Sequence, residues 1–258
     1  MSEYYIVDFG CNWGNSKKYP AKTVFDMLNA AWREGVESVV SISNNRNETT
    51  ANKDLAKMKP LYYTAGIHPH NAKLYKEGDM AYFETCLKDP KCFGVGECGL
   101  DYNRMFSPKD DQLKVFELQI LLAKKTGSKL YLHCRDAYPD FIALLKKHQY
   151  YKGLVHCFTG TFDQALELTS LGFKLGITGW LLDARRNHNL VDVVSSRHIT
   201  LDMLVVETDA PFMPIGEKKE SSPIDTWQII AEIARLKRID VHTCGTQIYD
   251  NSVQFLKK

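Results

Sequence analysis

The sequence predicts a single (β/α)8 barrel, a TIM barrel, spanning residues 1–258 as one domain. Three observations carry this. Short apolar runs of strand length alternate with helical stretches along the whole chain, four of those runs end on Glu97, His133, His156 and Asp209, and 258 residues is a common length for one such barrel. A doubly wound open sheet is the alternative. It suits the pattern less well, because side chains ending the fourth, fifth, sixth and eighth runs converge easily only when the sheet closes.

The first strand reads Tyr5 to Asn12, with Asp8, Gly10 and Asn12 on one face by the period of two. A helix follows from Ala21 to Glu34, with Val24, Leu28 and Ala31 on one stripe and Gly35 as its stop. Ser38 to Ser43 is the second strand, Glu48 to Met58 a polar helix, and Leu61 to Gly66 the third strand, closed by His68-Pro69-His70. Asp79 to Leu87 is helical, and Phe93 to Gly96 is the fourth strand, delivering Glu97 to a glycine-containing turn. Ser107 reads as a cap and Pro108 as the first position of a helix ending before Gly127. Lys129 to His133 is strand five, Tyr138 to Lys147 a helix and Gly153 to Phe158 strand six. The helix Phe162 to Leu171, strands Phe173 to Ile177 and Met203 to Asp209, and helices Asp225 to Lys237 and Thr246 to Leu256 complete the chain.

Hydrophobic residues at 44% and charged residues at 25% are ordinary globular values and exclude disorder. A formal charge of +2 excludes a protein that coats nucleic acid electrostatically, while leaving room for an enzyme that grips a few phosphates. Met1 to Tyr5 hold no basic segment followed by an apolar one, and no run reaches membrane-spanning length. The expectation is a monomer of the cytoplasm, or of the nucleus in a eukaryote, with no membrane partner. Seven cysteines without a CxxC pair argue against a disulfide framework. Cys11, Cys98, Cys134 and Cys157 neighbour site candidates and read as packing residues on the opposite strand face.

Glu97, His133, His156 and Asp209 together are the carboxylate and imidazole set with which a hydrolase holds one or two divalent cations. Each alone could merely cap backbone or shape a turn; four at equivalent strand ends point to a metal centre. His68 and His70 flank a rigid proline and suit an anionic substrate. Asp101, Tyr102 and Arg104 follow Glu97, and Arg135 follows His133. Both arginines offer guanidinium forks to phosphate, and Trp180 offers a ring to a base.

At these residues the chain resembles the TatD family of metal-dependent deoxyribonucleases, barrels of the amidohydrolase superfamily. The blocks that carry the resemblance are Ala65 to His70, Gly94 to Asp101, His133 to Ala137, His156 to Gly160, Gly176 to Trp180 and Glu207 to Pro211, in family order. The resemblance implies a hydrolase dependent on a divalent cation, Mg2+ first and Mn2+ or Zn2+ next, that removes nucleotides from the 3′ end of single-stranded DNA or RNA. It implies that Glu97, His133, His156 and Asp209 are metal ligands, that Asp209 also orients or deprotonates the attacking water, and that His68 stands near the scissile phosphate. The chain departs from the family at strand one, where Gly10 and Asn12 occupy places at which many members have histidines, and in the loop 216–224, which reads Lys218-Lys219-Glu220-Ser221-Ser222-Pro223. Glycine offers no ligand and asparagine a weak neutral oxygen, so weak or single-metal occupancy is expected. Two other classes compete: a small-molecule amidohydrolase or lactonase on the same barrel, and a barrel that only binds. Arg104, Arg135, Arg185, Arg186, Lys218 and Lys219 favour phosphates over the former, and four buried polar strand ends argue against the latter. Replacing Glu97 by Gln is expected to spare folding, by relieving repulsion among carboxylates.

Overall fold

The structure, a computed structural model, describes residues 5–15, 17–58 and 60–257. Met1 to Tyr4, most of the stretch read above for a leader, lie outside the described residues. One eight-stranded sheet carries the strands in chain order, and the recorded pairings are parallel, giving the (β/α)8 barrel that the sequence predicts. The chain divides into two compact units, residues 1–12, 21–40 and 157–257 in one and 13–20 and 41–156 in the other.

The first unit contains β1 (Ile6–Cys11), α1 (Ala21–Arg33), β2 (Val36–Ser41) as far as Val40, β7 (Lys174–Ile177) and β8 (Leu204–Val206). Its helices, numbered in chain order for the whole molecule, are α6 (Phe162–Leu171), α7 (His188–Ser195), α8 (Thr226–Lys237) and α9 (Val241–Leu256). Every residue of β1 and β8 is buried, as a parallel strand covered on both faces must be. Helix α1 buries Val24, Leu28 and Ala31, the stripe that its 3.6-residue period lays down. Thr161 and Gln164 form a reciprocal capping box that starts α6. The buried Phe9 ring of β1 meets the half-buried Phe255 ring of α9 at 5.8 Å.

The second unit contains β3 (Leu61–Ala65), β4 (Cys92–Asp101), β5 (Lys129–Arg135) and β6 (Gly153–Val155). Its helices are α2 (Arg46–Leu55), α3 (Asp79–Cys86), α4 (Lys109–Thr126) and α5 (Tyr138–His148). Asn45 caps α2 by accepting from the Glu48 amide, and Gly127 ends α4 in the left-handed region at φ 67°. Phe116 and Phe141 stack at 5.5 Å between α4 and α5.

Strands β6 and β8 stop at Val155 and Val206, three residues short of their expected ends at Phe158 and Asp209, so His156 and Asp209 follow the strands rather than end them. Three more expectations are corrected and one helix is added. Strand β4 does not stop at Gly96 but runs on to Asp101, so Glu97 lies inside it. Ser107 is no cap: its hydroxyl donates to the His70 carbonyl, and Pro108 takes the cap position without a side-chain bond. Helix α9 starts at Val241, capped by Asp240, because Gly245 is carried through the helix interior rather than preceding its start. Helix α7, which the sequence reading passed over, is a short segment burying Leu190, Val193 and Val194.

Candidate active site

The centre of the second unit's polar cluster is built by an irregularity in β4. Val95 pairs with Leu130 and Cys98 with Leu132, so three steps along β4 match two along β5, the signature of a bulge. Strand side chains alternate faces, and the extra residue resets that alternation. Val95, Cys98 and Leu100 therefore share one face, and Glu97 and Asp101 both turn to the other, where His133 of β5 also points. The glycines make this possible. A Cβ on Gly99 (φ 143°) would stand 1.9 Å from the His133 carbonyl oxygen, and one on Gly96 (φ 155°) 2.4 Å from that of Tyr131.

Glu97 is buried, and its Oε1 lies 2.8 Å from His133 Nδ1 and 3.4 Å from His68 Nε2. On its other side, His133 Nε2 lies 3.1 Å from Asp101 Oδ2. Burial by itself pulls the His133 imidazole down, but its bonds to Asp101 and Glu97 overcome this and carry it up to about 9. It is thus an imidazolium at neutral pH, donating from both nitrogens. Burial pushes the Glu97 carboxyl up, and the imidazoles of His68 and His156 with the bond from His133 hold it well below the usual carboxylate range. Asp101, also buried, is held low in the same way by donation from His133 and from His70 Nε2 at 2.8 Å. Its other oxygen accepts from the amides of Asn103 and Arg104, at 3.0 and 2.8 Å.

Within this array, His68, Glu97 and His133 present ligand atoms within 4.8 Å of one another, and two imidazoles with a carboxylate are a fitting donor set for a divalent cation. His68 is distinguished by its proton. Its Nδ1 accepts from the His70 amide at 3.0 Å, so Nε2 carries the hydrogen, and burial lowers the ring to about 4, leaving it neutral. Such an imidazole faces its surroundings as a donor at Nε2, which separates it from the ligand group although the distances alone admit it. His156, buried just beyond β6, has Nδ1 at 2.7 Å from the buried Tyr131 hydroxyl. With the proton on Nδ1 that contact leaves the Nε2 lone pair open, the usual orienting device for a metal-bound imidazole.

The structure thus brings Glu97, His133, His68, His70 and Asp101 into one hydrogen-bonded array, with His156 near enough to act on the Glu97 charge. Tyr102 is tied down, its hydroxyl donating to Asp140 at 2.8 Å and its ring beneath Lys109. Arg104 is exposed in the loop after β4, and Arg135 ends β5, its carbonyl accepting from the Tyr102 amide at 2.9 Å.

Asp209 and Trp180 belong to the first unit. Asp209 adopts φ 56°, and its Oδ1 accepts from Asn12 Nδ2 at 2.7 Å. The turn is anchored one residue earlier. Asp8, wholly buried, accepts from the Thr208 amide at 2.9 Å, the Thr208 hydroxyl at 2.6 Å and the Gly10 amide at 3.0 Å. Burial lifts the Asp8 carboxyl to about 7 even against these donors. Glu207, also buried, accepts from the Cys157 amide at 2.5 Å and so fixes the residue that follows His156. Trp180 sits in a 3-10 turn with the Arg186 guanidinium 4.8 Å from its ring.

Sequence reasoning missed Tyr131, Glu207 and Thr208. Tyr131 reads as one more apolar strand residue, and only its place two residues before His133, hence on the same face, could have marked it. Asp8 was placed on the face of Gly10 and Asn12, but its partner lies 200 residues away.

Residues 7–257 match the family model described as TatD related DNase. A protein of Edwardsiella piscicida named 3'-5' ssDNA/RNA exonuclease TatD is 33% identical, over 98% of this chain and 99% of its own length. The Escherichia fergusonii protein of the same name is 30% identical, over 97% and 98%. Among solved structures, a TatD homologue from Escherichia coli k12 has a TM-score of 0.87 at 25% identity, covering 98% of this chain and 97% of its own. A hydrolase of the TatD family from Entamoeba histolytica also gives 0.87, at 24% identity over 99% of both chains.

Proposed function

The chain belongs to the TatD related DNase family, and from that premise we propose that it is a metal-dependent phosphodiester hydrolase, a 3′–5′ exonuclease acting on single-stranded DNA or RNA ends. The observation that carries the reading is the buried array of His68, Glu97, His133 and Asp101, in which a carboxylate stays ionised between imidazoles.

In this reading Glu97, His133, His156 and Asp209 hold the cation, Mg2+ first and Mn2+ or Zn2+ next. When bound, the cation polarises a phosphoryl oxygen and acidifies water. Asp209, held by Asn12, orients the attacking water and accepts its proton as the new bond to phosphorus forms and the bond to the departing oxygen breaks. Glu97 balances charge as well as ligating. His68, neutral and protonated at Nε2, donates to a phosphate oxygen, stabilising charge as it builds up. His70, Asp101, Tyr102, Arg104, Arg135 and Trp180 serve the strand itself, the arginines through phosphates and Trp180 by stacking. The protein is taken to work as a monomer in the cytoplasm; seven cysteines without a CxxC pair suit a reducing compartment.

The test is direct. Metal-stripped protein is incubated with single-stranded DNA labelled at its 5′ end, in chelator and with Mg2+, Mn2+ or Zn2+. Stepwise shortening from the 3′ end with a cation, and none in chelator, is expected; a strand left intact by all three cations refutes the reading.

A further inference from the structure

The loop after β4 displays two large apolar side chains that the mechanism above does not use. Met105 is 51% exposed and Phe106 58% exposed, next to exposed Arg104. Exposed apolar residues are common on protein surfaces and by themselves mean little. Two things set Phe106 apart.

The first is that its loop is held in place from several directions. The Asn103 and Arg104 amides bond Asp101, the Phe106 amide donates to the Arg104 carbonyl at 2.8 Å, and the Ser107 hydroxyl donates to the His70 carbonyl at 2.8 Å. Gln112 closes the loop from below, donating to the carbonyls of Asp101 and Ser107. A segment fixed this firmly, yet presenting an aromatic ring to water, has its ring preorganised for a ligand rather than left there by mobility.

The second is position. The Phe106 ring meets His70 edge to face at 4.9 Å; His70 meets His68 at 4.3 Å, and His68 meets His133 at 4.5 Å. Three successive ring contacts thus lead from the polar array out to an exposed aromatic face, with an arginine beside it for phosphate. Resting on the exonuclease reading, we propose that Phe106 is a stacking platform for the terminal nucleobase of the single strand. Any base has a π-face, so the platform binds strand ends without regard to sequence, and a base inside a duplex is already stacked and cannot use it.

The test uses a single-stranded oligonucleotide with 2-aminopurine as its 3′ base, whose fluorescence is quenched on stacking. Binding is measured in chelator, and hydrolysis with Mn2+. The wild-type protein and Phe106→Trp are expected to quench the probe. Phe106→Ala is expected to lose the quenching, bind roughly 5- to 100-fold more weakly, and show that loss in KM with kcat nearly unchanged. Phe106→Leu, which keeps apolar bulk without a π-face, should fall near Phe106→Ala. An oligonucleotide ending in an abasic residue should bind wild-type and Phe106→Ala proteins alike, and Phe25→Ala, an exposed aromatic on α1, should match wild type throughout. Hydrolysis with Phe106→Ala unchanged in KM and quenching overturns the platform and leaves the exonuclease standing. Binding and quenching that depend on Phe106, without hydrolysis under any cation, does the reverse. A wild-type protein that does not quench the probe overturns the platform outright.

Discussion

Replacing Glu97 by Gln separates a catalytic carboxylate from a structural one, and the structure gives its size. His133 is raised from 6.5 to about 9 by Asp101 and Glu97 against the pull of burial. At ~1.4 kcal/mol per pH unit, the two carboxylates together hold the imidazolium by roughly 3 kcal/mol. Glu97 makes the shorter of the two contacts, 2.8 against 3.1 Å, so its share is about 1–2 kcal/mol. A raised imidazole contributes stability that is fully present below pH 6.5 and is lost as pH rises through about 9. The metal-free Glu97→Gln protein should therefore unfold roughly 2–8 °C below wild type at pH 6.5, with the gap closing above pH 9. This revises the expectation, drawn from sequence, that losing the charge relieves repulsion: the nearest partners of Glu97 are imidazoles. The nuclease rate at saturating Mn2+ should fall about 100- to 1000-fold, the loss usual when a preorganised charge is removed from a reaction centre. Thermal unfolding in chelator across pH, beside exonuclease rates of the same preparation, measures both. A folded variant with near wild-type turnover would refute the ligand role, and a stability gap that does not change with pH would refute the ion-pair arithmetic.

Three further outcomes follow from the first unit and from the ligand set. Asp8, raised from 3.8 to about 7, binds its proton more tightly folded than unfolded, so its contribution is fully present below about pH 4 and lost as pH rises through 7. Urea midpoints of Asp8→Asn should therefore gain on wild type between pH 5 and 8, and parallel profiles would show that Asp8 does not titrate in that window. Because Gly10 offers no donor and the Asn12 amide already serves Asp209, exhaustive dialysis should leave no more than one cation per chain; two tightly held ions by metal analysis would contradict this. Loading that cation near pH 7.5 must displace the His133 proton, so weakly buffered titration should register release of about one proton per ion.

The barrel was legible because a parallel strand covered on both faces is written as an unbroken apolar run, and Tyr131-Leu132 and Leu204-Val205-Val206 are such runs. Glu97, His133 and His156 stood out as polar residues at the edge of those runs. The extent of β4 was not legible, because Gly96 and Gly99 are written as a turn and serve as close contacts to β5, a distinction that depends on a strand thirty residues away. The state of each imidazole was equally hidden. His68 and His133 look alike in the sequence, yet burial with one backbone amide makes the first a neutral donor, and two carboxylates make the second a cation.

The bulge between Val95 and Cys98 makes the phase of β4 a functional quantity in its own right. Along most strands a residue gained or lost slides the pattern until the next turn absorbs it. Here the extra residue acts like punctuation in a reading frame: everything upstream is spelled in one phase and everything downstream in the other. A homologous chain could exchange Cys98 or Leu100 for another apolar residue and leave the carboxylates where they are. Straightening the bulge while keeping every residue would transpose Glu97 and Asp101 with their apolar neighbours, presenting Cys98 and Leu100 to His133 in their place. Drift in this segment is therefore open at its apolar positions and closed at Gly96, at Gly99 and in its phase.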